Sequence, residues 1–407
     1  MNRTFASANV LFFSIRIRRM KNKNGLRTAH LFLSLSLLTA FLASCQPAAA
    51  TPDTNVALTA AFETAVAQIS QNNQPTETPV PADTPIPTAT APRTPPALPG
   101  TYQTSLLKPA DMPRTYVADT CQYLKNKWDS TKSAPGTVVM VIMYHGINKG
   151  DASGNDVTTG EHKKIMNDLF ESGFQAITMQ QMADFMYDNA KIPPRSVLLI
   201  VDDRHFAEYF NDHWRPFYEQ WGWPVINGYI GLDERTDLWA ENAALSAEGW
   251  VDYQAHGYIH NVPISEGSTD EFITSEMQGA INSLQKYMNK TPIAYIWPGG
   301  GFSRRAVEIG PTLGYKLGFT VNQRGPVMYN WVPQADSVND DNPLAIPEVP
   351  AGNPLMTLPR YWSTNARGEI DTVRNIGDEA AAYAEQNKAT ELEYYDIVCA
   401  PTLGPIP

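Results

Sequence analysis

The stretch VLLIVDDRHF, residues 197–206, decides the fold because it joins an apolar run to two adjacent carboxylates. Val197 to Val201 are five consecutive apolar residues, which is typical of a strand buried on both faces of a parallel sheet. Asp202 and Asp203 then fall at the carboxyl end of that strand. The stretch therefore predicts a sheet whose C-terminal edge carries acidic side chains.

Six further runs have the character of strands, and amphipathic segments lie between most of them. The predicted strands are 138–143, 174–177, 197–201, 224–230, 251–255, 293–296 and 316–321, and the predicted helices lie near 161–172, 179–189, 206–220, 241–248, 269–288 and 303–313. This alternation indicates an α/β fold, either a barrel or an open doubly wound sheet. Candidate catalytic residues follow several strand ends, which favours the barrel.

Two histidines follow the predicted strand in WVDYQAHGYIH, residues 250–260. Their spacing of four residues lets the imidazoles of His256 and His260 reach one point. Together with Asp203 they form a common ligand set for a catalytic divalent metal, with a position left for water. Asp202 is then free to act as a base. The alternative is a helix-capping aspartate pair and two histidines placed by chance.

The glycine-rich turn WPGGGF, residues 297–302, follows another strand end. Without side chains, its backbone amides can approach a developing oxyanion closely. The alternative is an ordinary tight loop.

The N-terminus has the composition of an export signal. Residues 1–44 carry seven Lys and Arg residues, no acid and an apolar core, and translation starting at Met20 would shorten the basic part. The sequence Leu-Ala-Ser-Cys ending at Cys45 resembles a bacterial lipobox, so we expect a lipid on Cys45 that anchors the protein to a membrane outside the cytoplasm. A plain signal peptide is the alternative.

The composition of the remaining chain divides it into segments and limits its partners. Residues 45–100 include nine prolines and six threonines between Pro75 and Pro99, which predicts an extended tether. Residues 101–137 are an N-terminal extension, and 138–407 form the catalytic domain with a C-terminal extension. Without residues 1–44 the net charge falls from −11 to −18, which argues against nucleic acid as a partner. We expect a monomer.

Two cysteines remain after Cys45. In an exported protein, Cys121 and Cys399 are expected to form a disulfide that ties the start of the folded region to its end. Two free buried thiols are the alternative.

These motifs together resemble the polysaccharide deacetylase family, also called the NodB homology domain or carbohydrate esterase family 4. VVMVIMYHGI resembles its first strand, IVDDRHF its first catalytic motif TFDDG, HGYIH its motif H-[ST]-x-x-H, and IWPGGGF its R-x-P-x-G loop. The resemblance spans residues 138–362. It implies a distorted (β/α)7 barrel and metal-dependent deacetylation of a polysaccharide, with zinc, cobalt or nickel as the ion.

The resemblance also implies residue roles. Asp202 becomes the catalytic base, the Gly299 amide becomes the oxyanion donor, and Asp203, His256 and His260 become the metal ligands.

Three residues depart from the family motifs. Arg204 replaces a glycine, Gly257 replaces Ser or Thr, and Ile296 stands where an arginine normally orients the base. The segment PLMTLPRYW resembles a Leu-Pro-Arg segment of exported members, so we predict that Arg360 supplies the missing charge. Arg204 is the second candidate.

A general acid must deliver a proton to the leaving amine, and the family commonly uses a histidine in a C-terminal Leu-x-His motif. That motif is absent, since His260 is the last histidine. His162 and His213 fall in predicted surface helices, which leaves His145 and His205. We predict His145, which follows the first strand. His205 begins a helix, where the dipole disfavours a protonated imidazole.

We therefore expect an extracytoplasmic, membrane-anchored deacetylase of an N-acetylated glycan, either peptidoglycan or a chitin-like poly-N-acetylglucosamine. One alternative is a hydrolase of another amide or ester, such as a cyclic amide or acetylated xylan. The other is a glycan-binding lipoprotein without catalysis.

Overall fold

A computed structural model describes residues 93–337 and 346–407 of the chain. The predicted signal, Cys45 and the tether as far as residue 92 lie outside these residues. All described residues belong to one compact unit, Ala89–Pro407. Within the described part of the chain, no helix combines the length and apolar character that crossing a membrane requires.

The unit consists of twelve strands and ten α-helices among the described residues. The strands are β1 Met112–Arg114, β2 Val138–Tyr144, β3 Ile147–Asn148, β4 Val157–Thr158, β5 Gln175–Ala176, β6 Arg195–Asp202, β7 Val225–Tyr229, β8 Val251–Ala255, β9 Ala294–Ile296, β10 Leu317–Phe319, β11 Val332–Gln334 and β12 Tyr361–Trp362. The helices are α1 Thr120–Trp128, α2 Thr159–Glu171, α3 Met179–Asp188, α4 Ala207–His213, α5 Arg215–Trp221, α6 Thr236–Ala247, α7 Asp270–Met288, α8 Arg304–Thr312, α9 Ser363–Tyr394 and α10 Ala400–Leu403.

Seven parallel strands form the central curled sheet in the order β10, β9, β8, β7, β6, β2 and β12. The segment before β12 bridges the two ends of this order, because Leu358 pairs with Phe319 of β10 while Tyr361 pairs with Ile142 of β2. The predicted distorted seven-stranded β/α barrel is confirmed. Its strand ends place Asp202, His256 and Ile296 at one edge.

Alternate side chains of β2 and β6 point to opposite faces of the sheet, so they pack in two separate hydrophobic cores. Val139, Val141 and Leu198 belong to one buried cluster, which also contains side chains of β9 and β10. The intervening residues, including Met140 and Leu199, pack in a second cluster with the surrounding helices. Both faces of these strands are therefore buried, as their continuous apolar runs predict.

Among the differences between the predicted and the observed elements, three concern the barrel strands and the helices that were predicted around them or follow them. The segment 174–177 contains only the short β5, which pairs with the beginning of β6, and the seventh barrel strand is β12 instead. The predicted helix at 206–220 divides at Trp214 into α4 and α5. The 32-residue helix α9 was not predicted, although its buried apolar residues recur every three or four positions, at Ala366, Ile370, Val373, Ile376 and Ala380.

The N-terminal segment lies along α9. Arg93 forms an exposed ion pair with Asp396 at 2.7 Å, just beyond the C-terminal end of that helix. Further along the chain, the Tyr102 hydroxyl donates to Glu379 at 2.8 Å. The segment therefore runs antiparallel to α9, and it approaches the barrel from the end of the helix that is far from β12.

Cys121 and Cys399 are joined by a disulfide, with a Cα–Cα distance of 5.3 Å, so the predicted bridge is confirmed. Cys121 lies in α1, and Cys399 ends a turn of π-helix after α9. Beside the bridge, Leu124 and Tyr395 form a small core of their own with Cys399. The bond therefore fastens both extensions of the barrel to each other.

Replacing Cys121 and Cys399 by serine should lower the free energy of unfolding by about 5 kcal/mol, because the bridge closes a loop of 278 residues in the unfolded chain. Urea denaturation of the variant and the wild type measures this difference. Thiol labelling of unfolded, unreduced protein that lacks Cys45 should detect no free cysteine. Two labelled thiols in that sample would contradict the bridge.

Candidate active site

Asp202 and Asp203 diverge because the backbone turns sharply at the end of β6. Asp203 has a φ of 71°, in the left-handed region that Asp tolerates better than most residues. The side-chain amide of Asn227 in β7 holds this turn by donating to the carbonyls of Val201 and Asp203, both at 2.9 Å. The two carboxylates are therefore available for different partners.

Asp203, His256 and His260 converge, with ligand atoms that all lie within 4.8 Å of one another. Nε2 of His256 is 3.6 Å and Nε2 of His260 is 3.3 Å from Oδ1 of Asp203. His260 also has a left-handed backbone, with a φ of 72°. Strained residues of this kind are common at functional sites.

The three side chains fit a divalent transition metal. Two imidazole nitrogens and one carboxylate oxygen are a ligand set that zinc, cobalt and nickel accept. Nδ1 of His256 donates to the Ile296 carbonyl at 2.8 Å, which leaves Nε2 as the free ligand atom. Burial lowers the pKa of His256, although Asp202 and Asp203 act in the opposite direction. The lowered pKa favours the neutral imidazole that a metal requires.

Asp202 is paired with Arg360. The guanidinium donates to Oδ1 at 2.6 Å and to Oδ2 at 3.0 Å, and its Nε donates to the Thr320 carbonyl at 2.7 Å. Both partners are buried. Burial alone would raise the pKa of Asp202, but the charge of Arg360, aided by His256 and His145, lowers the pKa to about 2. The carboxylate is therefore ionised at neutral pH.

His145 also lies beside Asp202. Its Nε2 is 3.9 Å from Oδ2 of Asp202, and its ring is stacked on Trp362 with the centroids 5.8 Å apart. The backbone of His145 is held by the Tyr209 hydroxyl, which donates to its carbonyl at 2.8 Å. His145 thus faces the same edge of the barrel as the three candidate ligands.

His205 has a different environment. Its Nε2 is 3.0 Å from the backbone carbonyl of Asp202 and therefore donates to it, and its ring stacks on Tyr209. Burial lowers its pKa. These contacts stabilise the turn after β6 and leave His145 as the histidine whose ring nitrogen approaches the Asp202 carboxylate.

Gly299 lies in a single turn of 3-10 helix, Pro298–Gly300, directly after β9. The amides of Gly300 and Gly301 bond back to the carbonyls of Trp297 and Pro298. Gly299 itself is exposed, with a φ of 56°, and no hydrogen bond to its amide is formed within residues 93–337 and 346–407. Its N–H is therefore available to an incoming ligand.

A comparison with known protein families finds a match for the part of the chain that carries most of these residues. Residues 193–318 match the family model described as polysaccharide deacetylase. This segment is a polysaccharide deacetylase domain. The predicted resemblance is confirmed over these residues, and so is the predicted enzyme class, a hydrolase of carbon–nitrogen bonds other than peptide bonds.

Solved structures similar to this chain include three proteins with related titles. A deacetylase from Streptococcus pyogenes, PplD, in complex with acetate has a TM-score of 0.46 at 18% identity, and the alignment covers 58% of this chain and 98% of that one. IcaB from Ammonifex degensii has a TM-score of 0.44 at 16% identity, with 59% and 97% covered. A de-N-acetylase from Aggregatibacter actinomycetemcomitans has a TM-score of 0.43 at 15% identity, with 55% and 94% covered. No curated protein matches the chain.

The departures from the family motifs have a structural explanation in this deacetylase domain. Ile296 is fully buried in β9, and the cation that contacts Asp202 comes from Arg360, 64 positions later in the chain. Arg204 is directed elsewhere, since its guanidinium donates to the Leu232 carbonyl at 3.2 Å. Gly257 has a φ of 72°, which disfavours the Ser or Thr of the family motif.

His162 and His213 lie in helices on the outside of the barrel, as predicted, but their side chains are buried and not at the surface. His162 is 1% and His213 is 8% exposed, and the His162 ring packs against Trp214 at 4.6 Å. Their helices are amphipathic, and both histidines lie on the faces that pack toward the barrel. Burial lowers the pKa of His162 to about 3, so this residue is neutral and belongs to the core.

Two residues of the site carry no sequence signal. Asn227 stands within an apolar strand and Glu276 within an ordinary amphipathic helix, yet both contact the turns that carry the candidate ligands. Three exposed apolar residues, Phe206, Ile259 and Val262, lie within three positions of those ligands along the chain. Only the folded arrangement brings Asn227 and Glu276 to the site.

We predict that the protein binds one divalent transition metal and that His256→Ala weakens binding sharply, because each ligand of a three-residue set is needed. Elemental analysis after dialysis measures the metal content. His145→Ala, which lies outside the set, should keep the wild-type content. Equal metal content in the wild type and in His256→Ala would rule out the assignment.

Proposed function

We propose that this protein is a metal-dependent deacetylase that removes acetyl groups from an N-acetylated glycan, peptidoglycan or a chitin-like polymer, outside the cytoplasm. The observation that carries the proposal is the convergence of Asp203, His256 and His260 beside an ionised Asp202. Zinc is the ion we propose, because the ligand set combines two imidazoles with one carboxylate.

The reaction converts an N-acetyl group and water into acetate and an amine. A divalent cation supplies Lewis-acid polarisation of the acetyl carbonyl and makes water more acidic. Asp202, ionised and oriented by Arg360, accepts the proton of the attacking water. The N–H of Gly299 donates to the oxyanion of the tetrahedral intermediate. His145 donates a proton to the amine nitrogen as the carbon–nitrogen bond breaks.

The bidentate contact between Arg360 and Asp202 favours catalysis over the alternative of a glycan-binding protein without activity. A protein that had lost its chemistry would have no need to keep a buried carboxylate ionised, since burial disfavours the charge unless a partner offsets it. Here the partner is present at 2.6 Å despite the loss of the family's usual arginine.

We further propose that the protein is a monomer held at a membrane by a lipid on Cys45. The Cys121–Cys399 disulfide supports a location outside the cytoplasm, because such bonds persist mainly in oxidising compartments. Metabolic labelling with a palmitate analogue tests the anchor. The wild type should be labelled, and Cys45→Ala should not.

Acetate release from a panel of substrates tests the activity. N-acetylglucosamine oligomers, peptidoglycan and acetylated xylan are each incubated with the protein, with and without a chelator, and His256→Ala serves as the inactive control. We expect acetate from an N-acetylated glycan, loss of activity with the chelator and recovery with added zinc. Glycan binding without acetate release would support the non-catalytic alternative, and release from acetylated xylan alone would support an esterase.

A further inference from the structure

A buried carboxylate holds the turn between the two candidate histidine ligands. Glu276 of α7 is 1% exposed. It accepts hydrogen bonds from the backbone amides of Tyr258 at 3.0 Å, Ile259 at 3.0 Å and His260 at 3.3 Å. Three consecutive amides that converge on one anion form a nest, an arrangement that stabilises negative charge.

The turn itself has an unfavourable backbone and little room. Gly257 and His260 both have a φ of 72°, and a non-glycine residue in this region needs its surroundings to hold it there. A Cβ at Gly257 would lie 3.0 Å from Oε2 of Glu276 and 2.9 Å from Pro298. The turn is therefore confined between Glu276 on one side and the Gly299 turn on the other.

A glycine on α7 leaves space for the turn of residues 257–260 to pack against this helix. Gly279 lies three residues after Glu276, on the same face of the helix. A Cβ at Gly279 would approach the Tyr258 ring to 2.7 Å, so the absence of a side chain lets Tyr258 pack against the helix. Beyond the turn, the Gly231 amide donates to the Gly257 carbonyl at 2.9 Å.

We propose that Glu276 is a positioning residue for the metal centre. Its carboxylate fixes the amides of residues 258–260 and thereby holds the His260 imidazole against Asp203 and His256. Because His260 lies at the end of this left-handed turn, a change in the turn moves one of the three candidate ligands. The inference rests on the proposed metal centre, and it assigns a role to a helix that contributes no ligand itself.

Zinc affinity of the purified full-length protein tests the proposal. The wild type, Glu276→Gln and Glu391→Gln are stripped of metal and titrated with zinc in competition with a chromogenic chelator. Glu276→Gln keeps the side-chain volume but presents an NH2 group to the amides, so we expect about 10–100-fold weaker binding, as for loss of other groups that orient metal ligands. Glu391→Gln is the matched control, because Glu391 is also buried but accepts from Trp128, away from the site.

Circular dichroism of the metal-free variants shows whether they are folded. If Glu276→Gln fails to fold, the Glu276→Asp variant tests the proposal instead, because Asp keeps the charge but is shorter by one methylene. Weakened zinc binding by Glu276→Asp supports the proposal, and wild-type affinity overturns it. If Glu276→Gln folds and binds zinc as tightly as the wild type, the proposal is wrong. A wild type that binds no zinc would instead refute the metal centre on which the proposal rests.

Discussion

His145→Ala is expected to lose about 10²–10⁴-fold in turnover while it keeps its metal, since this is the usual contribution of a general acid or base. The reason is the position of the imidazole, whose Nε2 lies 3.9 Å from the Asp202 carboxylate and outside the three-ligand set. Without this ring, the leaving amine loses the proton donor that we assign to it. Turnover on an N-acetylglucosamine oligomer, together with elemental analysis of the same sample, measures both quantities.

The His205→Ala variant is the control for this result. His205 donates to the Asp202 carbonyl and stacks on Tyr209, so its removal should mainly lower the stability of the turn after β6. Near-wild-type turnover in His145→Ala, combined with an inactive but folded His205→Ala, would reverse the assignment of the acid.

Arg360→Met is expected to shift the acidic limb of the activity profile to higher pH. In the wild type the pKa of Asp202 is lowered to about 2, so the base is ionised throughout the neutral range. Without the guanidinium, burial dominates and raises the pKa, and the carboxylate is protonated at a higher pH than before. The profile of kcat/KM against pH measures this shift. Arg367→Met removes an exposed arginine on α9 and should leave the limb unchanged.

The same variant should be less stable. Removing one partner of a buried ion pair leaves an uncompensated charge and typically costs about 3–5 kcal/mol. A lowered carboxylate pKa stabilises the folded state above the unfolded pKa of about 4, and this contribution is lost as the pH falls toward 2. Urea denaturation at neutral and acidic pH should therefore show the largest difference between Arg360→Met and the wild type at neutral pH. An unchanged activity profile with unchanged stability would remove Arg360 from the site.

The sequence by itself determined six of the seven barrel strands and most of the candidate site. Continuous apolar runs such as Val197 to Val201 specify strands buried on both faces, and the residues that follow them fall at one edge because parallel strands share a direction. For this reason the strand pattern alone was enough to group Asp203, His256 and His260. The two cysteines could be paired for a simpler reason, since no other candidates remained after Cys45.

Only the tertiary structure decided which side chains support that site. The amide nest around Glu276 and the burial of His162 depend on segments that are distant in sequence and meet in the folded barrel. Arg360 was predicted from the family resemblance, and the structure decided between it and Arg204. Short strands such as β12 have too few residues for a periodic pattern, so their partners are set by packing. Local patterns record which face of an element is apolar, whereas contacts across the barrel depend on how the elements meet in three dimensions.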